Sequence, residues 1–286
     1  MLDEDNLVSV FGGTGFVGSR YINLYKDQCI LVPRGEHRPL SNNVLYFIST
    51  VDNYNVYTDI HIDIETNLNV LMNVLSNINR DKEVVLNFVS SWFVYGKVDK
   101  LPVSEDAYCD PRGFYSITKR AAEQLLISYC ETFNIPYRIL RLCNVYGVSD
   151  NKVSTKRNAL QHLTRNIVLN KNIDLYNEGS DIRDFMYVDD VCRAIDLVIK
   201  NSRLNDIINI GSGTGSNFFD MMNYVKKTTK SCSKISSISP PDFHNIVQVK
   251  DMILDVSKLA KLGFENEVDI YSGLDILIGH YKKDII

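Results

Sequence analysis

A strand-like run at residues 7–11 ends directly in a glycine-rich turn, FGGTGFVGS, which opens a helix-patterned stretch. Gly13, Gly15 and Gly18 satisfy G-x-G-x-x-G, Gly12 adds a fourth glycine, and Thr14, Phe16 and Val17 complete the turn. Such glycines allow a tight turn and the close approach of a pyrophosphate, which then rests on the N-terminus of the following helix. The motif alone is weak evidence. Its position after the first strand is what predicts a crossover α/β unit with a dinucleotide on its backbone.

The same alternation continues through β-branched runs at 29–32, 44–48, 84–89, 137–142 and 207–210, each separated by helix-patterned sequence. Alternation of this kind predicts a parallel sheet with helices on both faces. From about Val148 the chain becomes more polar and has fewer strand signals, before the late run at 207–210 and a helix from Phe218. The expected architecture is a Rossmann-type doubly wound parallel sheet over 1–147, with 184–212 returning to it. A smaller C-terminal substrate-binding lobe, from 148–183 and 213–286, would lie over the carboxyl edge of the sheet, where open α/β sheets bind ligands. At 286 residues and 45% hydrophobic content, the chain is long and apolar enough for a full core.

Charge and cysteine usage exclude other classes. The net charge of −4 is spread among both signs with no basic stripe, which argues against nucleic acid as a partner. No apolar run approaches the ~20 residues of a membrane helix, and the acidic start, MLDEDN, lacks the pattern of an export signal. The six cysteines are far apart, without a C-x-x-C pair or clustered histidines. They read as reduced, mostly buried thiols of a cytoplasmic protein with no metal site.

The second strand runs into ILVPRGEHRP. Where an acidic residue ordinarily takes the ribose hydroxyls of a dinucleotide, Pro33 and Arg34 stand, with His37 and Arg38 just beyond. A guanidinium offers paired donors to a 2′-phosphate, so the expected cofactor is NADP(H). NAD(H) stays open, because Glu36 could take the ribose hydroxyls and the basic loop could simply be solvated.

The chemistry is expected from GFYSITKR, residues 113–120, where Tyr115 precedes Lys119 by one helical turn. Tyrosine titrates near pH 10 in isolation; a lysine on the same face favours the phenolate and makes the phenol a usable acid or base. Lys119 can also hold the cofactor ribose. Upstream, NFVSSWFVYG places Ser90 and Ser91 at the carboxyl end of a buried strand. Ser91 is assigned to the reacting carbonyl and its developing oxyanion, with Ser90 beside the cofactor and as the alternative hydroxyl.

Taken in order, these segments resemble the extended, nucleotide-sugar-modifying branch of the short-chain dehydrogenase/reductase superfamily. The resemblance also rests on NLNVLMNVL (67–75), RLCNVYG (141–147), DIRDFMYVDDV (181–191), NIGSG (209–213) and LDVSKLAKLGF (254–264). It implies that Asn67 supports the catalytic set through backbone or water contacts. It further implies that Asn144 and Arg183 contact the diphosphate or sugar of a nucleoside-diphosphate sugar. Lys156 and Arg157 could add to that site, although a solvated charge pair is the plainer reading. Asp189 and Asp190 read as helix-start residues. A homodimer is expected through helices at 64–78 and 115–132, though burial against the chain's own sheet would explain the same apolar residues.

Three departures qualify the resemblance. The interval between the second and third strands leaves no room for a helix and strand found in relatives. Trp92 and Phe93 stand where 4,6-dehydratases carry Asp-Glu, so expulsion of water from a sugar is not expected. The arginine before the D-x-S-K segment is missing, with only His244 and Lys250 nearby. The leading expectation is an NADPH-dependent reductase of a nucleoside-diphosphate-4-keto-6-deoxy sugar. The alternatives are an NAD-dependent nucleotide-sugar epimerase, such as a 4-epimerase, and a non-catalytic NADP(H)-binding protein.

Overall fold

The computed structural model describes residues 7–51, 53–148 and 158–283. Six strands form the central sheet: β1 (Val8–Phe11), β2 (Cys29–Leu31), β3 (Asn43–Tyr46), β4 (Val85–Ser91), β5 (Tyr137–Leu142) and β9 (Asp206–Ile210). Their order is β2-β1-β3-β4-β5-β9, and every pairing is parallel. Period-two alternation explains why this sheet is covered twice. Val44 and Tyr46 face one apolar layer while Leu45 faces the other, and Ile139 and Leu140 divide in the same way.

The chain leaves β1 towards β2 at one edge and then returns to β3 on the other side of β1. That reversal opens a crevice at the carboxyl ends of β1 and β3, where ligands of such sheets bind. As the short interval implies, residues 32–42 contain no helix or strand, and β2 is the edge of the sheet.

Helices α1 (Phe16–Leu24), α2 (Ile62–Ile64), α3 (Val70–Ser76) and α4 (Phe114–Phe133) precede β5. The helix expected at 64–78 is divided by a π-helical turn over Glu65–Asn69. Helix α4 begins at Gly113, whose amide donates to the Ser116 hydroxyl at 3.0 Å, and ends where Asn134 turns left-handed. Between these ends Tyr115, Lys119, Ala122, Leu126 and Cys130 are buried at helical spacing, which seats α4 on the sheet.

The second half holds more strands than the sequence suggests. Strands β6 (Asn144–Tyr146), β8 (Ile182–Tyr187) and β10 (Gly215–Asn217) form a three-stranded sheet, and β7 (Ile173–Tyr176) pairs with β11 (Ile235–Ile238). These strands are short, and β7 and β11 are largely polar on one face, so they carry little of the apolar run that marks a sheet centre. Helices α5 (Ala159–Val168), α6 (Val188–Asn201), α7 (Phe218–Thr229), α8 (Asp242–Val247), α9 (Ser257–Lys261) and α10 (Ile270–Lys282) complete the order. Among the described residues, no helix is long and apolar enough to cross a membrane. Cys130, Cys143 and Cys192 are buried, Cys29 and Cys109 are half-buried, and Cys232 is exposed.

Candidate active site

A cleft of about 870 Å³ runs from the glycine turn, over the ends of β3 and β4, to α5, β7 and α8. Gly12, Gly15, Phe16, Val17 and Gly18 line one end of it. Gly12 has a φ of 75°, and a Cβ there would lie 3.0 Å from the Ile48 amide. A Cβ on Gly18 would lie 2.6 Å from the Gly12 carbonyl oxygen, so only glycine lets α1 start this close to the turn. No side chain caps the first turn of α1, and it holds no acidic residue. Bare amides facing a cleft suit a pyrophosphate, so these residues fit a dinucleotide. Gly13 is buried and Thr14 exposed, and both sit in the turn without lining the cleft.

Arg34 lies exposed in the loop after β2, outside the cleft lining. One Glu36 carboxylate oxygen accepts the Arg38 and His37 amides at 2.7 and 2.8 Å, which holds that carboxyl below its usual range.

Strand β4 brings Ser90 and Ser91 to the cleft as its last two residues, both buried. The Ser91 oxygen accepts the Phe93 amide at 3.3 Å, leaving its proton for another acceptor. The Ser90 hydroxyl is buried without a hydrogen-bond partner. Tyr115 also lines the cleft, 7% exposed, with its ring edge-on to Phe93 at 5.8 Å. Lys119 lies one turn further along α4, donates to the Val89 carbonyl at 2.7 Å and packs over the Phe88 ring at 4.2 Å. Burial lowers its pKa to about 7, a penalty only partly offset by Glu123.

Glu123, another turn along, is clasped by the Arg141 guanidinium at 3.0 and 2.8 Å and by Arg120 at 2.8 Å. Burial would push this carboxyl up, but the Arg141 fork above all holds it below the usual range. Asn67, at the centre of the π turn, is fully engaged within the protein. Its Oδ1 accepts from the Ser49 hydroxyl and the Thr50 amide, and its Nδ2 donates to the Thr50 and Thr118 hydroxyls. It lies outside the cleft lining and ties the segment that follows β3 to α4.

Asn144 and Arg183 also line the cleft, and the Arg183 guanidinium lies 5.8 Å over the Trp92 ring. The Asn144 amide donates to the Asp184 carbonyl at 2.9 Å. Arg183 donates to the Ile182 and Lys250 carbonyls and pairs with Asp181 at 3.4 Å, so the residue read as a diphosphate contact already has partners here. Lys156 and Arg157 lie outside the described residues. Asp189 and Asp190 do occupy the first turn of α6. They also bind Arg20 and Arg193 at 2.6 Å in each case.

Sequence reasoning assigned no role to several residues that line the cleft. The Gln161 carbonyl accepts the Gly147 amide at 3.2 Å, and its buried Nε2 has no partner. Asn53 Nδ2 and Asp181 Oδ1 are likewise buried and unpartnered. His244, read above as a weak substitute for an arginine, reaches across the cleft to the Tyr54 hydroxyl at 3.1 Å and packs on Tyr176. Burial, then the Arg183 charge, holds its imidazole below its ordinary value. No local motif marks these positions, because helices and loops from both halves of the chain bring them together.

Residues 43–211 match the model of the NAD dependent epimerase/dehydratase family. The chain belongs to that family. The matched span holds Asn67, the serine pair, Tyr115, Lys119, Asn144 and Arg183, while the glycine turn lies ahead of it. Low-salt glycan biosynthesis protein Agl12 of Haloferax volcanii is 28% identical over 68% of this chain and 61% of its own length. The chain spans about three fifths of the length of the curated relatives it matches first. Among solved structures, a UDP-glucose 4-epimerase of Thermotoga maritima, in a structure with UDP-glucose, has a TM-score of 0.86 at 22% identity, covering 98% and 99% of the two chains. RMD of Pseudomonas aeruginosa, complexed with NADPH, has a TM-score of 0.85 at 18% identity over the same shares. At these identities the likeness establishes a common fold, a parallel sheet flanked by helices.

Proposed function

We propose that this chain is an NADPH-dependent oxidoreductase that reduces a nucleoside-diphosphate-4-keto-6-deoxy sugar. The observation that carries the reading is the meeting of Ser91, Tyr115 and Lys119 in one cleft with an uncapped glycine turn. The turn residues Gly12 to Gly18 would hold the pyrophosphate, and Lys119 and Ser90 would lie beside the cofactor. When bound, a reduced nicotinamide supplies the hydride that turns the sugar carbonyl into an alcohol. Tyr115 then gives its hydroxyl proton to the carbonyl oxygen. Ser91, whose oxygen is already fixed by the Phe93 amide, donates a hydrogen bond to the same atom. Trp92 and Phe93 provide no carboxyl group for dehydration.

In this reading β6, β7, β8, β10 and β11 with the helices around them form the lobe that takes the nucleoside diphosphate. Asn144 keeps its Oδ1 for it, and Arg183 would exchange protein carbonyls for phosphate oxygens. The likeness to a UDP-glucose 4-epimerase supports a second reading, in which the same hydroxyl set serves a nucleotide-sugar 4-epimerase that retains NAD. Acid release and identification of the cofactor from purified protein tests between them. Stoichiometric NADPH oxidation with a 4-keto-6-deoxy nucleotide sugar supports the reductase. Retained NAD, with interconversion of two sugar epimers and no net oxidation, supports the epimerase.

A further inference from the structure

Trp92 and Phe93 build an apolar wall inside the reacting end of the cleft. Their rings stack with centroids 3.9 Å apart, Trp92 is 2% exposed, and Phe93 stands edge-on to Tyr115. The wall is held in place from below, because the Phe93 amide is bound by Ser91. One residue therefore fixes the serine hydroxyl and presents an aromatic ring next to the phenol.

A pyranose whose reacting carbon lies within reach of both hydroxyls must turn one flanking substituent towards that ring. The sugar hydroxyls elsewhere have amides to meet, since Asn144 and the unpartnered Nε2 of Gln161 line the same cleft. The substituent against Phe93 meets an aromatic ring backed by a second one. The Arg183 guanidinium lies 5.8 Å over Trp92, but it is bound to Asp181 and two backbone carbonyls. A methyl group fits such a wall. A hydroxymethyl or a carboxylate in that place would give up hydration against the rings.

We infer that Phe93, backed by Trp92, selects the substrate by receiving the methyl group of a 6-deoxyhexose on the carbon beside the reacting one. The inference rests on the nucleotide-sugar reading above and adds to it the residue that decides which sugar is accepted.

Calorimetric titration of the full chain compares UDP-glucose with UDP-6-deoxyglucose, and the corresponding dTDP pair, for wild type, Phe93→Leu and Phe93→Ser. The expected result is wild-type binding of the 6-deoxy member about 10- to 100-fold tighter than its 6-hydroxy partner. Phe93→Leu should keep that preference and Phe93→Ser should lose most of it. Equal wild-type affinities overturn the inference even if the serine variant does not fold, and so does a preference that survives in a folded Phe93→Ser. Both results leave the nucleotide-sugar reading standing. Wild-type binding of none of the four compounds overturns that reading, and the inference with it.

Discussion

At the scale of single residues, Tyr115 and Lys119 make separable predictions. Replacing Tyr115 with Phe removes the proton donor and retains the ring that packs against Phe93. Turnover is expected to fall by about 10²- to 10⁴-fold while cofactor affinity, followed by fluorescence titration, is unchanged. Lys119 is buried with a pKa lowered to about 7 by desolvation. In the unfolded chain the same amine holds its proton to about pH 10.4. Between those values the unfolded state binds more protons, so this lysine makes stability rise with pH; below about 7 its contribution is flat and at its least favourable. Lys119→Met removes that dependence. Chemical denaturation at pH 6 and pH 9 should show wild type gaining on the variant by roughly 2–3 kcal/mol across that interval. Activity should be lost at both values. A difference in stability that does not move with pH would mean that the amine is not held neutral by burial.

At the scale of elements, the glycine turn and α1 act as one unit. Gly18→Ala drives a Cβ against the Gly12 carbonyl oxygen, and Gly12→Ala strains a φ of 75° at a cost of roughly 1–3 kcal/mol. Either variant should bind NADPH and NAD markedly more weakly than wild type in equilibrium dialysis, and Gly18→Ala should also unfold at a lower temperature. A Gly18→Ala protein with wild-type cofactor affinity would remove the turn from the site. This unit was readable from sequence because one local run of residues makes it. The inner strands of the sheet were readable for a related reason: buried on both faces, they carry apolar runs, as in Ile139, Leu140 and Leu142 of β5. The strands of the second half were not, since β11 is ISSI, with three exposed residues. The π turn at Glu65–Asn69 was also hidden, because a single i→i+5 turn within a helix has no residue signature of its own. The Tyr54–His244 bridge joins residues 190 positions apart, and no spacing rule can reach it.

At the scale of the whole molecule, α4 carries apolar residues on two sides. Tyr115, Lys119 and Glu123 form one buried stripe, and Ala122, Leu126 and Cys130 face the sheet. Ile117 follows Tyr115 by two residues, about 200° around the helix, and Leu125 lies two turns beyond it. These side chains are 47% and 43% exposed, so packing within the chain's own sheet does not account for them. Ile62 and Ile64 on α2, the neighbouring helix, are exposed at 37% and 42%. An apolar face of this kind on the outside of two adjacent helices fits a second copy of the same chain related by a two-fold axis, which would extend the pair into a four-helix bundle. Ile117→Glu with Leu125→Glu places two carboxylates in that interface while leaving the stripe beneath α4 untouched. Light scattering on the eluting protein should give twice the chain mass for wild type and a single chain mass for the variant. The variant should retain cofactor binding, because the cleft lies on the opposite side of α4. A wild-type protein that elutes as a single chain at every concentration would exclude the dimer and leave Ile117 and Leu125 as ordinary exposed side chains.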